Sequence, residues 1–391
     1  MQKNPIRCAI CTLLCCAILA TALCLPVQGI GTEAVYTDPI NAKGVMLIEA
    51  ESGRVLYEQR AHTRLPMAST TKIMTALVVL EKCSLQKTVS VDPRAVGVEG
   101  SSVYLYAQEQ LTVEQLLYAL LLSSANDAAA ALAYEVAGSI EGFAAMMNQK
   151  AAELGLENTR FTNPHGLDAQ GHYTTAYDLA RLAAYALENP DFLRIVSTPK
   201  KVIPLKEQEG VRVLRNHNRL LSSYEGCIGV KTGFTKKSGR CLVSAAERDG
   251  VRLICVTLGC PDDWRSHSTL LDNGFAAYER VRLCDAQQYV TSLSVVGGTQ
   301  SQLYLQTGDA KDVILPRQRE KIEQSIQMKA AHFLYAPVSA GDCVAEMVWT
   351  LEGEEIARAP LYAMYDIPQV QTKHSPWDWL RTLLMKLKEL L

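Results

Sequence analysis

The chain has 391 residues, with 39 Lys and Arg against 41 Asp and Glu, giving a formal net charge of −2. Apolar residues make up 48% and charged residues 20%, a globular composition that argues against a disordered or fibrous protein. Balanced charge without basic runs argues against nucleic acid as a partner, and the length predicts two or three domains, each large enough to bury its own core.

At the N-terminus, Lys3 and Arg7 precede an uncharged apolar stretch from Cys8 to Leu25, and Val27-Gln28-Gly29 supplies small residues beyond it. This pattern predicts a secretory signal over residues 1–29, cleaved after Gly29. The alternative is a retained transmembrane anchor, and either form translocates the rest of the chain. Leu23 before Cys24 leaves no lipobox. Five of the 12 cysteines lie in this segment; the seven that remain are scattered singly, an odd number that argues against a complete disulfide framework.

The run from Gly44 to Tyr57 reads as two short strands around a Glu51-Ser52-Gly53 turn. A helix is predicted over Thr70 to Leu80, with Ile73, Met74, Leu77 and Leu80 on one face. Residues 112 to 185 read as mostly helix, interrupted by the loop Asn163-Pro-His-Gly-Leu-Asp168. Strands follow over Ile228–Thr235, Arg240–Glu247 and Val251–Leu258, the last two joined by a turn at Arg248-Asp249-Gly250. A helix is predicted from Trp264 to Glu279. Short apolar runs over 287–366 predict a small all-β domain. After a linker, Trp377, Leu380, Leu383, Leu384, Leu387, Leu390 and Leu391 form the apolar stripe of an amphipathic helix. At the end of an exported chain it reads as an interfacial membrane anchor rather than a packed helix.

Strands, a helical block, more strands and a helix, in that order, predict an α+β domain whose antiparallel sheet is closed by strands from both ends. The expected organisation is a signal over 1–29, a catalytic domain over 30–286, a β domain over 287–366, and linker plus anchor over 367–391.

Three motifs carry the chemistry: Ser69-Thr-Thr-Lys72 has the form S-x-x-K, Ser124-Ala-Asn126 the form S-x-N, and Lys231-Thr232-Gly233 is the third. S-x-x-K alone is weak, because Ser84–Lys87 and Ser197–Lys200 also match it. Ser69, however, opens an apolar-periodic helix, where residues three apart share a face, while Ser84 sits in a polar stretch and Pro199 interrupts the third match.

With its context, the run Leu65-Pro-Met-Ala-Ser-Thr-Thr-Lys-Ile-Met-Thr-Ala-Leu77 resembles the serine-type D-alanyl-D-alanine carboxypeptidases, the low-molecular-mass penicillin-binding proteins. Asn163–Asp168 and Gly229-Val-Lys-Thr-Gly-Phe-Thr235 are similar to that family too, as is a β domain with a terminal amphipathic helix. The resemblance spans residues 35 to 391 and implies a β-lactamase/transpeptidase-like catalytic domain. It implies no cofactor, peptidoglycan stem pentapeptide as substrate, β-lactams as inhibitors, and a place at the outer face of the cytoplasmic membrane.

Residue by residue, a serine hydroxyl needs an adjacent base. Ser69 is the expected nucleophile and Lys72 its base, provided burial and the second cation Lys231 hold the amine neutral. Ser124 is expected to relay the proton to the departing D-alanine, and Asn126 to bond the substrate amide. Lys231 and Thr232 are expected to bind the terminal carboxylate, Gly233 to leave room for the acyl chain, and the Phe234 N–H to join that of Ser69 in stabilising the oxyanion.

This chain departs from the family pattern at Ala125, where Gly is common, and in the carboxylate-binding Arg, for which Arg265 is the nearest candidate. His165 is expected to fix its loop rather than act on substrate. His165, Asp168 and His172 lack the spacing of a zinc site, so no metal is expected. A class A β-lactamase needs an E-x-x-L-N run, which is absent here, and intact motifs speak against an idle penicillin-binding sensor.

Overall fold

A computed structural model describes residues 39–205, 210–328, 333–371, 384–386 and 388. The predicted signal and most of the predicted anchor helix lie outside the described residues.

In chain order the first strands are β1 (Gly44–Glu49) and β2 (Val55–Gln59). Two small hairpins follow, β3 (Thr88–Ser90) with β4 (Gln110–Thr112), and β5 (Lys200–Pro204) with β6 (Val211–Arg215). Then come β7 (Cys227–Thr235), β8 (Gly239–Arg248) and β9 (Val251–Leu258). The main sheet has the order β2-β1-β9-β8-β7 and is antiparallel throughout, so strands from both ends of the region do close it. The turn between β8 and β9 places Asp249 at φ 49° and Gly250 at φ 74°, the left-handed pair that an Asp-Gly hairpin favours.

All six residues of β1 are buried. Because side chains alternate along a strand, Met46 and Ile48 join the core beneath the helical block while Val45 and Leu47 join a second core on the opposite face. That double burial explains the unbroken apolar run in the sequence. The helical block comprises α1 (Lys72–Lys82), α2 (Val113–Leu122), α3 (Asn126–Ala137), α4 (Ile140–Glu153), α5 (Ala176–Glu188) and α6 (Pro190–Val196). Thr112 and Gln115 form a capping box at the start of α2. Along α3, Ala128 to Ala131, Leu132 and Ala133 are all buried, and the small alanine side chains let neighbouring elements approach closely. A short α7 (Leu220–Ser223) precedes the last strands, and α8 (Asp263–Ala277) covers the second face of the sheet.

The helix predicted to reach Glu279 ends at Ala277, because Tyr278 already begins β10 (Tyr278–Cys284). Further on lie β11 (Tyr289–Val296), β12 (Gln302–Thr307), β13 (Lys311–Pro316) and β14 (Glu323–Met328). After them come β15 (Leu334–Tyr335), β16 (Cys343–Leu351) and β17 (Glu354–Ala363). Strand β10 pairs with β13, and the others form a six-stranded sheet of order β14-β16-β17-β12-β11-β15. Its core gathers Trp349, Leu303, Leu305 and Leu361.

The seven described cysteines are all free. Among the described residues no helix is long and apolar enough to cross a membrane.

Candidate active site

Ser69 lies in a 3-10 turn, Ala68–Thr71, that leads into α1. The predicted start of the helix was Thr70; the chain instead tightens here, and a 3-10 turn eclipses side chains three apart. Lys72 Nζ accordingly sits 3.0 Å from Ser69 Oγ. Two internal bonds hold the turn, Thr70 Oγ1 to the Met67 carbonyl at 2.6 Å and Thr71 Oγ1 to the Ala68 carbonyl at 2.8 Å. Ala68 has φ 47° and Ser124 φ 58°, so a non-glycine residue in the left-handed region stands just before the first motif and another opens the second.

The Lys72 amine is fully buried and reaches two further oxygens, Asn126 Oδ1 at 2.7 Å and the His165 carbonyl at 2.6 Å. Ser124 is buried at the head of the same motif, but it is not among these partners. Asn126 Nδ2 donates to the Glu99 carbonyl at 2.6 Å, which fixes the amide so that its oxygen faces the lysine. Next to it, Asp127 accepts bonds from Ser102 Oγ and from the backbone N–H groups of Val103 and Leu105. Burial pushes Lys72 well below its ordinary pKa; the charge of Lys231 adds to this and Asp127 opposes it.

Lys231 is 1% exposed on β7, and its amine donates to the Thr232 carbonyl at 2.9 Å. Burial lowers its pKa to about 7. Phe234 is 66% exposed. A Cβ on Gly233 would come within 3.0 Å of the Ser69 nitrogen and 3.1 Å of the Ala68 Cβ. A side chain at this position would therefore press on the serine's own turn.

The loop after α4 supplies what the sequence reading passed over. The His165 ring does fix its loop, with Nδ1 accepting from the Leu167 N–H at 3.3 Å, but its carbonyl touches the lysine. A Cβ on Gly166 would fall 1.9 Å from the Ala68 carbonyl oxygen, so only glycine lets this loop lie on the turn. His172 Nδ1 accepts from the Thr162 N–H at 3.0 Å, leaving Nε2–H to donate to Thr71 Oγ1 at 2.8 Å. Through Thr71 this ties the loop to the Ala68 carbonyl. Among the described residues no cluster of His, Cys, Asp or Glu is arranged to hold a metal.

Arg265 is 82% exposed and pairs with Asp262, the residue that precedes its own helix. A different guanidinium lies beside the motif strand. Arg240, on β8, stands opposite Phe234 in register, so the two side chains share a face. Asp263 Oδ1 accepts from its Nε at 3.0 Å and from Nη2 at 2.8 Å, and the Trp264 ring lies 5.5 Å away.

Residues 32–262 match the family D-alanyl-D-alanine carboxypeptidase, and residues 278–369 match the C-terminal domain of penicillin-binding protein 5. The chain belongs to the D-alanyl-D-alanine carboxypeptidase family. The D-alanyl-D-alanine carboxypeptidase DacF of Bacillus subtilis is 33% identical over 87% of this chain and 90% of its own length. The D-alanyl-D-alanine carboxypeptidase DacC of Escherichia coli is 34% identical over 89% of this chain and 90% of its own. Among solved structures, penicillin-binding protein 5 from Haemophilus influenzae superposes with a TM-score of 0.70 at 28% identity, covering 86% of this chain and all of that one (100%). The Streptomyces K15 DD-transpeptidase gives 0.58 at 35% identity, covering 62% of this chain and 100% of its own. The protein is thus a serine-type D-Ala-D-Ala carboxypeptidase with a penicillin-binding fold and a C-terminal all-β domain. Like its family it is a cell-wall hydrolase, and the fold expected from its motifs is the fold found.

Proposed function

We propose that Ser69 attacks the carbonyl of the penultimate D-alanine of a peptidoglycan stem pentapeptide, with Lys72 as its base. The observation that carries this reading is the set of three oxygens around Lys72 Nζ. Two of them, Asn126 Oδ1 and the His165 carbonyl, can only accept hydrogen bonds. A neutral amine therefore gives both its hydrogens to these two and turns its lone pair to the Ser69 hydroxyl. The lowered pKa of Lys72 supports the neutral form.

The serine oxygen bonds to the carbonyl carbon as its proton passes to Lys72. The Ser69 and Phe234 backbone N–H groups stabilise the oxyanion. Collapse breaks the amide; Ser124 relays the proton to the leaving D-alanine nitrogen. Water then hydrolyses the ester and restores the serine. Asn126 also faces the substrate amide. Strand β7 is an edge of the sheet, so its outer side is open to an extended peptide. Lys231 and Thr232 bind the terminal carboxylate, Gly233 seats the serine turn, and Arg240 takes the part first considered for Arg265. β-Lactams acylate the same serine.

Around this centre, our reading keeps the signal over 1–29, the catalytic domain over 30–286, the β domain over 287–366 and the linker and membrane-surface helix over 367–391. It places the enzyme at the outer face of the cytoplasmic membrane. Labelling with fluorescent penicillin followed by peptide mapping tests the centre: the label is expected on Ser69, and label on Ser84 or Ser197 would overturn the assignment. Mass spectrometry of a pentapeptide digest should show loss of one D-alanine.

A further inference from the structure

The outward face of the β11–β12 hairpin carries no charged residue. In its register Tyr289 faces Gln306, Ser292 faces Tyr304 and Ser294 faces Gln302. Alternate residues turn the other way, and there Leu303 and Leu305 are fully buried. Tyr289 and Tyr304 are 55% and 45% exposed. Their rings meet edge to face with centroids 5.8 Å apart, and Tyr304 meets Tyr365 in the same way at 5.9 Å. The Tyr365 hydroxyl donates to the Gln302 carbonyl at 2.9 Å, which holds the last ring in place. Beside this ladder lies an open cleft of about 570 Å³, lined by Tyr304, Tyr365 and the uncharged segment Thr299 to Gln302.

This neutrality is local. On the nearby β10–β13 pair, Arg280 and Arg282 both bind Asp312, and on the β16–β17 pair Arg358 binds Glu346 and Glu355. A surface that drops charge over one face, and offers aromatic rings with amide and hydroxyl groups there, suits a neutral, hydroxyl-rich ligand. Anionic lipid or nucleic acid would need Lys and Arg on this face.

We propose that this face of the β domain binds the glycan strand of peptidoglycan, independently of the catalytic cleft. Sugar rings present apolar C–H faces to aromatic side chains, whose bodies are apolar and whose tips are polar. The hydroxyl and acetamido groups at the ring edges find donors and acceptors in Gln302, Gln306, Ser292 and Ser294. Holding the polymer at a second place raises the local concentration of stem peptides at the serine without altering the chemistry. The proposal rests on the cell-wall role of the enzyme.

Co-sedimentation of the full chain with purified glycan strands, stripped of stem peptides by an amidase and then amidated at the lactyl carboxylates this exposes, so that the strand is neutral there as in the intact polymer, tests it. The wild type should bind these peptide-free strands. Tyr304→Ala should weaken binding about tenfold or more, as loss of an aromatic anchor does. Gln302→Lys, which keeps the rings but adds a charge, should weaken it too. Hydrolysis of a soluble diacetyl-L-Lys-D-Ala-D-Ala peptide should be unchanged in both variants, and it reports on the catalytic reading separately. If Tyr304→Ala melts at a lower temperature, Gln302→Lys decides. Failure of the wild type to bind peptide-free glycan, or equal binding by wild type and Gln302→Lys, would overturn the proposal.

Discussion

Gly233 and Ser69 meet backbone to backbone: a methyl group on the glycine would lie 3.0 Å from the serine nitrogen. The motif strand and the nucleophile's turn are therefore one packed unit. Gly233→Ala must push them apart by a few tenths of an ångström. The fold should tolerate this at a cost of about 1–3 kcal/mol, typical of overpacking. Acylation by penicillin should slow by about tenfold or more, because small misplacements of reacting groups are amplified in rate. Labelling rates and thermal melts of the variant check both halves; unchanged acylation would show that the contact is not needed to position the serine.

Lys72→Ala removes the proposed base. Its acylation rate should fall by ~10²–10⁴-fold, the usual contribution of general base catalysis. It also strips a partner from Asn126 Oδ1 and the His165 carbonyl, so some stability, on the order of 1–3 kcal/mol, should go with it. Circular dichroism should still report a folded chain. A variant acylated at the wild-type rate would mean that another group takes the proton.

Acid should destabilise the fold earlier than its carboxylates alone would. Burial holds His172 at a pKa of about 4 and His267 and His165 at about 3, with Lys72 and His172 adding to the effect at His165. The unfolded chain takes up these protons near pH ~6.5. Between that value and about 4 the unfolded state binds more protons, so stability falls as pH falls through this window. Melting temperatures at pH 7, 5.5 and 4.5 should decline in turn. His267, held between Ser244 Oγ and Thr257 Oγ1, gives the control: His267→Gln should show a shallower decline relative to its own value at pH 7. A flat wild-type profile over this window would contradict the buried-neutral assignment.

The proposed anchor is tested by deleting residues 374–391. The truncated enzyme should hydrolyse soluble peptide as before and move from the membrane to the soluble fraction. Arg381, Lys386 and Lys388 barely outnumber Asp378 and Glu389, so apolar burial must supply most of the binding. Association of the full chain should therefore survive moderate salt. Unfolding of the truncated form would make the segment a packing element instead.

Much of this architecture could be read from the sequence wherever a local rule acts alone. The Asp249-Gly250 turn needs a left-handed pair, and two apolar runs flank it. The buried β1 announces itself by the unbroken apolar run Val45 to Ile48. The motif residues were found because their side chains name their chemistry. What escaped was backbone and context. The His165 carbonyl contacts the lysine through an atom every residue possesses, so no residue type marks it. Gly166 serves a turn almost 100 positions earlier, a contact that only the folded chain reveals. Order in the chain offers Arg265 as the candidate for the carboxylate-binding Arg; that strand register sets Arg240 beside Phe234 is visible only in the folded sheet. The predicted helix overruns into Tyr278 and Glu279, the first two residues of β10, because those residues do not themselves show the partner, β13, that makes them strand.

Strand β1 pairs with β9, Val45 opposite Thr257, so the central joint of the main sheet links chain segments more than 200 positions apart. A ribosome or a translocation channel releases the chain from its N-terminal side, and β1 must wait unpaired until residue 258 has emerged. Such high contact order makes early folding slow. The serine turn rests on β7, within the same late-arriving group of strands. The nucleophile is thus assembled only when the catalytic region is nearly complete, and a nascent fragment has no formed site for a β-lactam to acylate.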